Sequence, residues 1–161
     1  MKKFTFLDSL TLIIFLILIY ICTIHISYQI KDVEAAASQT IYATFASEKI
    51  HEGNMLLNKS KYLDAIKSYD QVLKVDPRSV EALTGKGVAL ANLDRFEEAI
   101  TWFDKAIKID PKFPDALYNK AGALAELGKF DEASVWTNKA LEIDKTYQNA
   151  SNSKSLLLPN D

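Results

Sequence analysis

VEALTGKGVALANLDRFEEAITWFDKAIKIDPKF, residues Val80 to Phe113, is the stretch that decides the fold. It reads as two short amphipathic helices joined by a turn, with Pro111 near its end. Nearly the same pattern starts 34 residues earlier at Ala46 and 34 residues later at Pro114. A fixed period of that length specifies stacked helical hairpins, because one hairpin is too small to bury its own apolar face. The fold expected is all-α.

The residues support this reading physically. Ala82, Leu83, Val88, Ala89 and Leu90 make the first segment mostly apolar, while Phe96, Ala99, Ile100, Phe103, Ala106 and Ile107 recur at helical steps in the second. Small residues at Gly87 and Ala99 let the paired backbones approach, and Leu90, Phe96 and Phe103 fill the space around them. Glu97 and Glu98 open the second helix, and Lys105 and Lys108 lie toward its end, as the helix dipole favours; Asp131, Glu132 and Lys139 repeat the arrangement. Pro111 lacks a backbone donor and marks the break between units.

Outward from the repeats, the N-terminus carries a second strong signal. Leu10 to Ser27, LTLIIFLILIYICTIHIS, holds no Asp, Glu, Lys or Arg. As a helix it would be roughly 27 Å long, close to the hydrocarbon thickness of a bilayer. The rival is a cleaved signal peptide, whose apolar region usually runs about 7–15 residues with small residues soon after. Here the run is longer, and the first small cluster, Ala35-Ala36-Ala37, follows Lys31, Asp32 and Glu34. An uncleaved transmembrane helix is expected over 10–30, after a short flank at 1–9. Lys2 and Lys3 before the run against Lys31 after it place the N-terminus in the cytoplasm and the repeats outside. The connector 31–45 lacks Pro and Gly and is alanine-rich, so it should be helical. Val33, Ala36, Ala37, Ile41 and Phe45 share a face there that could cover the bare end of the repeats.

Charge and cysteine usage exclude several functions. The net charge is −2, and residues 1 to 31 carry +2, which leaves −4 for the body. No clustered basic face suggests nucleic acid. The one cysteine, Cys22, lies in the apolar run, so no intrachain disulfide or thiolate metal site is expected. No glycine-rich phosphate loop, HExxH or CxxC occurs. His51 beside Glu52 is no acid–base pair, because adjacent helical residues point apart. Neither catalysis nor a cofactor or metal is expected.

At fixed positions the units resemble the tetratricopeptide repeat. The small eighth residue is Gly53, Gly87 and Ala121, the large eleventh Leu56, Leu90 and Leu124. The aromatic that opens the second helix is Tyr62, Phe96 and Phe130, and the twentieth residue is Ala65, Ala99 and Ala133. The closing pair is Asp76-Pro77, Asp110-Pro111 and Asp144-Lys145. The resemblance implies a right-handed solenoid of three hairpins at 46–79, 80–113 and 114–147, with a capping helix and tail at 148–161. Departures stand at the fourth position (Lys49, Leu83, Leu117) and the seventh (Glu52, Lys86, Lys120), and Thr137 replaces the aromatic of Tyr69 and Phe103. The third unit is therefore expected to pack less tightly, with Trp136 compensating.

In this family the first helices line a concave groove that holds a peptide or partner helix. Carried over by position, the groove comprises Ile50, His51, Asn54 and Leu57, then Glu81, Thr84, Val88 and Asn92, then Asp115, Tyr118, Asn119 and Glu126. Each also reads as an ordinary solvated helix position. Members that clamp a terminal carboxylate use Lys, Asn and Arg; Asn54 fits, but Ile50, Gly85, Asp115 and Asn119 do not, so no such clamp is expected. The implied function is a membrane-anchored adaptor, with a protein or peptide in the groove and lipid around the N-terminal helix. The alternative is a self-associating assembly component, a homo-oligomer without a separate client.

Overall fold

The computed structural model describes residues 6–144, with side chains from residue 13. Those residues form six helices: α1 (Phe6–Asn58), α2 (Tyr62–Val75), α3 (Val80–Ala91), α4 (Phe96–Ile109), α5 (Pro114–Glu126) and α6 (Phe130–Ile143). The chain divides into two compact units, Met1–Ala43 and Thr44–Asp161.

In the first unit, α1 carries the apolar run. No helix break falls at residue 30 or at residue 45, where the sequence suggested separate elements; α1 continues unbroken to Asn58. The absence of Pro and Gly between Lys31 and Phe45 explains this. The window that could cross a membrane by length and composition has a mean hydropathy of 2.1 and is 0% buried. Val33 and Ile41 stand 66% and 67% exposed, so of the face expected to pack, only Phe45 is half-buried.

In the second unit, neighbouring helices pack in chain order: α2 on α3, α3 on α4, α4 on α5, and α5 on α6. The core has three clusters, one between α2 and α3 and two that each draw on α3, α4 and α5. Ala65, Tyr69, Val72, Ala82 and Ala89 form the first, with Ile50, Leu56 and Leu57 against it. Leu90, Ala99, Phe103 and Ala123 form the second; Leu83, Ala106 and Ala116 the third. Ala99, where close backbone approach was expected, is 0% exposed, as are Ala65 and Ala106.

Turn chemistry repeats with the same period. Each first helix ends in a Schellman motif. Lys61, Arg95 and Lys129 donate their backbone N–H to the carbonyls of Leu56, Leu90 and Leu124 at 2.9–3.0 Å. The residue before each donor is left-handed: Ser60 (φ 57), Asp94 (φ 58) and Gly128 (φ 75). Between units, Asp76 and Asp110 accept the backbone N–H of Arg78 and Lys112, each at 2.9 Å. These side-chain-closed turns explain why Asp precedes Pro at both junctions.

The third unit differs from the second at two points. The last turn of α6 has no basic residue, whereas Lys108 closes α4. Phe130 is 54% exposed, whereas Tyr62 and Phe96 are half-buried. No helix follows α6 among the described residues, so nothing there covers Phe130 as α5 flanks α4. The third unit is thin, as expected: α6 buries only Ala133 and Ala140. The capping helix expected over 148–161 lies outside the described residues.

Candidate partner-binding groove

The groove positions lie on three first helices: the end of α1, then α3 and α5, of which α3 and α5 touch. The apolar members double as core. Ile50 and Leu57 pack against the first cluster and Val88 against the second, and each keeps part of its surface outside. That packing holds each of them in place.

Thr84 is a correction. It is only 6% exposed, and its Oγ1 has no hydrogen-bond partner among the described residues. The central helix α3 is packed by α2, α4 and α5, so seven of its residues are buried. Thr84 therefore offers no surface to a partner. Asn54 is exposed, but its Oδ1 already accepts from the Tyr69 phenol at 2.7 Å, which leaves its amide N–H groups outward. Asn92 and Asn119 turn their amides back onto their own helices, to the carbonyls of Val88 (2.9 Å) and Asp115 (2.7 Å). Each also carries a side-chain carbonyl oxygen, an acceptor. Tyr118 and Asn119 are half-buried neighbours on α5.

The exposed charged members, Glu81, Asp115 and Glu126, are all acidic. Loss of solvation, and then repulsion from Asp144, raise the Asp115 carboxyl above the usual aspartate range. These positions thus carry apolar, amide, phenol and acidic side chains.

A second constellation was missed in the sequence. Lys86 donates to Asp70 at 2.5 Å and lies 3.9 Å from the centre of the Trp102 ring, with Lys105 at 3.7 Å from that ring. One unit later, Lys120 donates to Asp104 at 2.5 Å and shares the Trp136 ring with Lys139, at 3.7 and 4.1 Å. Each set ties three consecutive helices. The two lysines among the seventh-position departures, Lys86 and Lys120, are therefore one device, used twice. The signal was the joint recurrence of Asp, Lys, Trp and Lys at a 34-residue offset. The first unit has Glu52 and Ser68 in the corresponding places and lacks it.

Comparison with known proteins agrees with this architecture. Two family profiles, both described as tetratricopeptide repeat, match residues 52–114 and 95–157. A search of curated protein sequences found no match. Among solved structures, the chain is similar to the TPR2B domain of yeast Sti1 in its complex with pHsp70. Identity is 30%, 70% of this chain and 90% of that one are covered, and the TM-score is 0.61. It is similar to MamA of MSR-1 at 28% identity and a TM-score of 0.55, over 63% of this chain and 58% of that one, so it spans little more than half of that protein. The first TPR domain of human RPAP3, at 24% identity, a TM-score of 0.64, and 68% and 86% coverage, shares the fold. With three hairpins 34 residues apart and overlapping profile matches that together run from 52 to 157, the chain belongs to the tetratricopeptide repeat family.

Proposed function

We propose that this chain is a membrane-anchored adaptor that binds an extended protein segment on the face formed by its first helices. The observation that carries the reading is the chemistry of the first-helix positions: Ile50, Leu57 and Val88 are apolar and half-buried, while Asn54, Asn92, Tyr118 and Asn119 bring amide and phenol groups. Amide and phenol groups pair with a main chain without demanding one side-chain charge. Glu81, Asp115 and Glu126 favour a segment that is basic or uncharged. The likeness to a TPR2B domain solved with pHsp70 supports a peptide as ligand. The clamp for a terminal carboxylate is not part of the proposal, because Asp115 would repel it and Gly85 is buried against Tyr69.

The anchor is the apolar run of α1. It crosses the membrane once, with the N-terminus cytoplasmic and the repeats on the other side. Lys2 and Lys3 against Lys31 support that orientation. Anchoring raises the local concentration of the groove for clients at the same surface.

The test is crosslinked capture from membranes with the parent chain beside a Tyr118→Ala, Asn119→Ala variant of unchanged melting temperature. A client held by the parent and lost by the variant establishes the groove. Equal recovery from both removes it. Protease added to intact cells should digest the repeats; protection until lysis would reverse the orientation.

A further inference from the structure

Beyond the groove, α1 carries an apolar face that continues past the length a bilayer can cover. Thr23, Ile26, Ile30, Val33, Ala37 and Thr40 follow one another at steps of 3, 4, 3, 4 and 3 residues. That is the 3.5-residue spacing of a helix paired with a parallel helix. Ile26, Ile30 and Val33 are 50%, 52% and 66% exposed. The two threonines present methyl groups, because their hydroxyls donate back to the helix, Thr23 to the carbonyl of Tyr20 at 2.8 Å and Thr40 to that of Ala36 at 2.9 Å. His25, Lys31, Asp32, Ser38 and Gln39 fall on the opposite side, together with Ile24 and Tyr28.

We infer that this face is the contact between two copies of the chain, which pair in parallel along residues 23–40 of α1. A second copy is favoured over a lipid surface because the juxtamembrane part has one lysine, Lys31, against Asp32 and Glu34, whereas helices lying on anionic membranes are rich in Lys and Arg. The flanks suit self-pairing. In a parallel pair the flanking Gln29 of one copy meets Glu34 of the other, a donor facing a carboxylate, and no like charges meet across the seam. Parallel orientation rests on the anchored reading, since both copies enter the same membrane the same way. The pair then presents two grooves to one client assembly.

The test is cysteine placement in the full chain, in intact membranes, after Cys22→Ser removes the native thiol. Val33→Cys and Ala37→Cys lie on the face; Asp32→Cys and Gln39→Cys lie off it. A disulfide needs Cα atoms within about 7 Å, so mild oxidation should give roughly tenfold more linked dimer from the first pair of variants than from the second. Equal yields from all four, or no dimer from any, would overturn the proposal. Capture of a groove client by the parent chain is a separate readout, so the two readings fail independently.

Discussion

The phenol of Tyr69 donates to Asn54 Oδ1 at 2.7 Å, and its ring passes so close to Gly53 and Gly85 that a Cβ on either would overlap it. Tyr69 is 0% exposed, and burial pushes its hydroxyl up to about 12. One buried ring therefore joins α1, α2 and α3.

Tyr69→Phe should cost about 0.5–1.5 kcal/mol, and Asn54→Ala more, about 1–3 kcal/mol, because the second leaves a buried phenol without a partner. Denaturant titration of the two variants checks the order. The phenol is harder to ionise folded than unfolded, so its contribution is complete below pH 10 and is lost as pH rises through about 12. Alkaline unfolding of the parent should be steeper there than that of Tyr69→Phe.

A Cβ at Gly87 would stand 2.5 Å from Phe103 Cε1, and a Cβ at Gly53 would stand 2.6 Å from Tyr69 Cε1. The third unit carries Ala121 and Thr137 at the matching positions, a larger residue opposite a smaller one. Gly87→Ala should therefore destabilise by about 1–3 kcal/mol through overpacking. Adding Phe103→Thr should make the double variant more stable than the sum of the two single losses, and a double-mutant cycle measures that coupling.

Lys86 is 14% exposed at its side chain and bonded to Asp70, whereas Lys67 pairs with Asp64 in open solvent. Lys86→Ala should lower stability by about 1–2 kcal/mol, from the lost ion pair and ring contact. Lys67→Ala should stay within about 0.5 kcal/mol of the parent. Lys86→Leu should restore most of the loss, because an apolar side chain of similar reach replaces a partly buried charge at little cost. Melting curves at low and high salt separate the ionic part.

Asp94 occupies a left-handed conformation that Gly128 occupies one unit later. Asp94→Gly should gain up to about 1 kcal/mol by relieving strain, offset in part by the entropy of glycine. Gly128→Ala should lose about 1 kcal/mol, although nothing lies within 4 Å of the added Cβ. A stability change of the same sign in both variants would contradict the backbone argument.

Asp115 has its carboxyl raised by lost solvation and by Asp144. A raised carboxyl disfavours its charged form in the fold, so stability should increase as pH falls through its range. Asp115→Asn should melt higher than the parent at pH 7, and the two should converge in acid. The same variant should weaken capture of a basic segment, which separates the groove role of the charge from its cost to folding.

How much was legible in the sequence depends on whether a feature is local and periodic. The 34-residue spacing determined the hairpins, and Gly87 and Ala99 marked close approach from the sequence. Periodicity states which face of a helix is apolar, and burial follows from that face. It does not state which charged side chain meets which partner across helices 16 residues apart. Lys86 and Lys120 thus read as departures until Asp70, Asp104 and the two tryptophans were seen around them. Thr84 looked like a groove position because its place in the repeat alone assigned it there. Packing of α3 on three other helices buried it, since enclosure depends on neighbours that the local sequence does not contain.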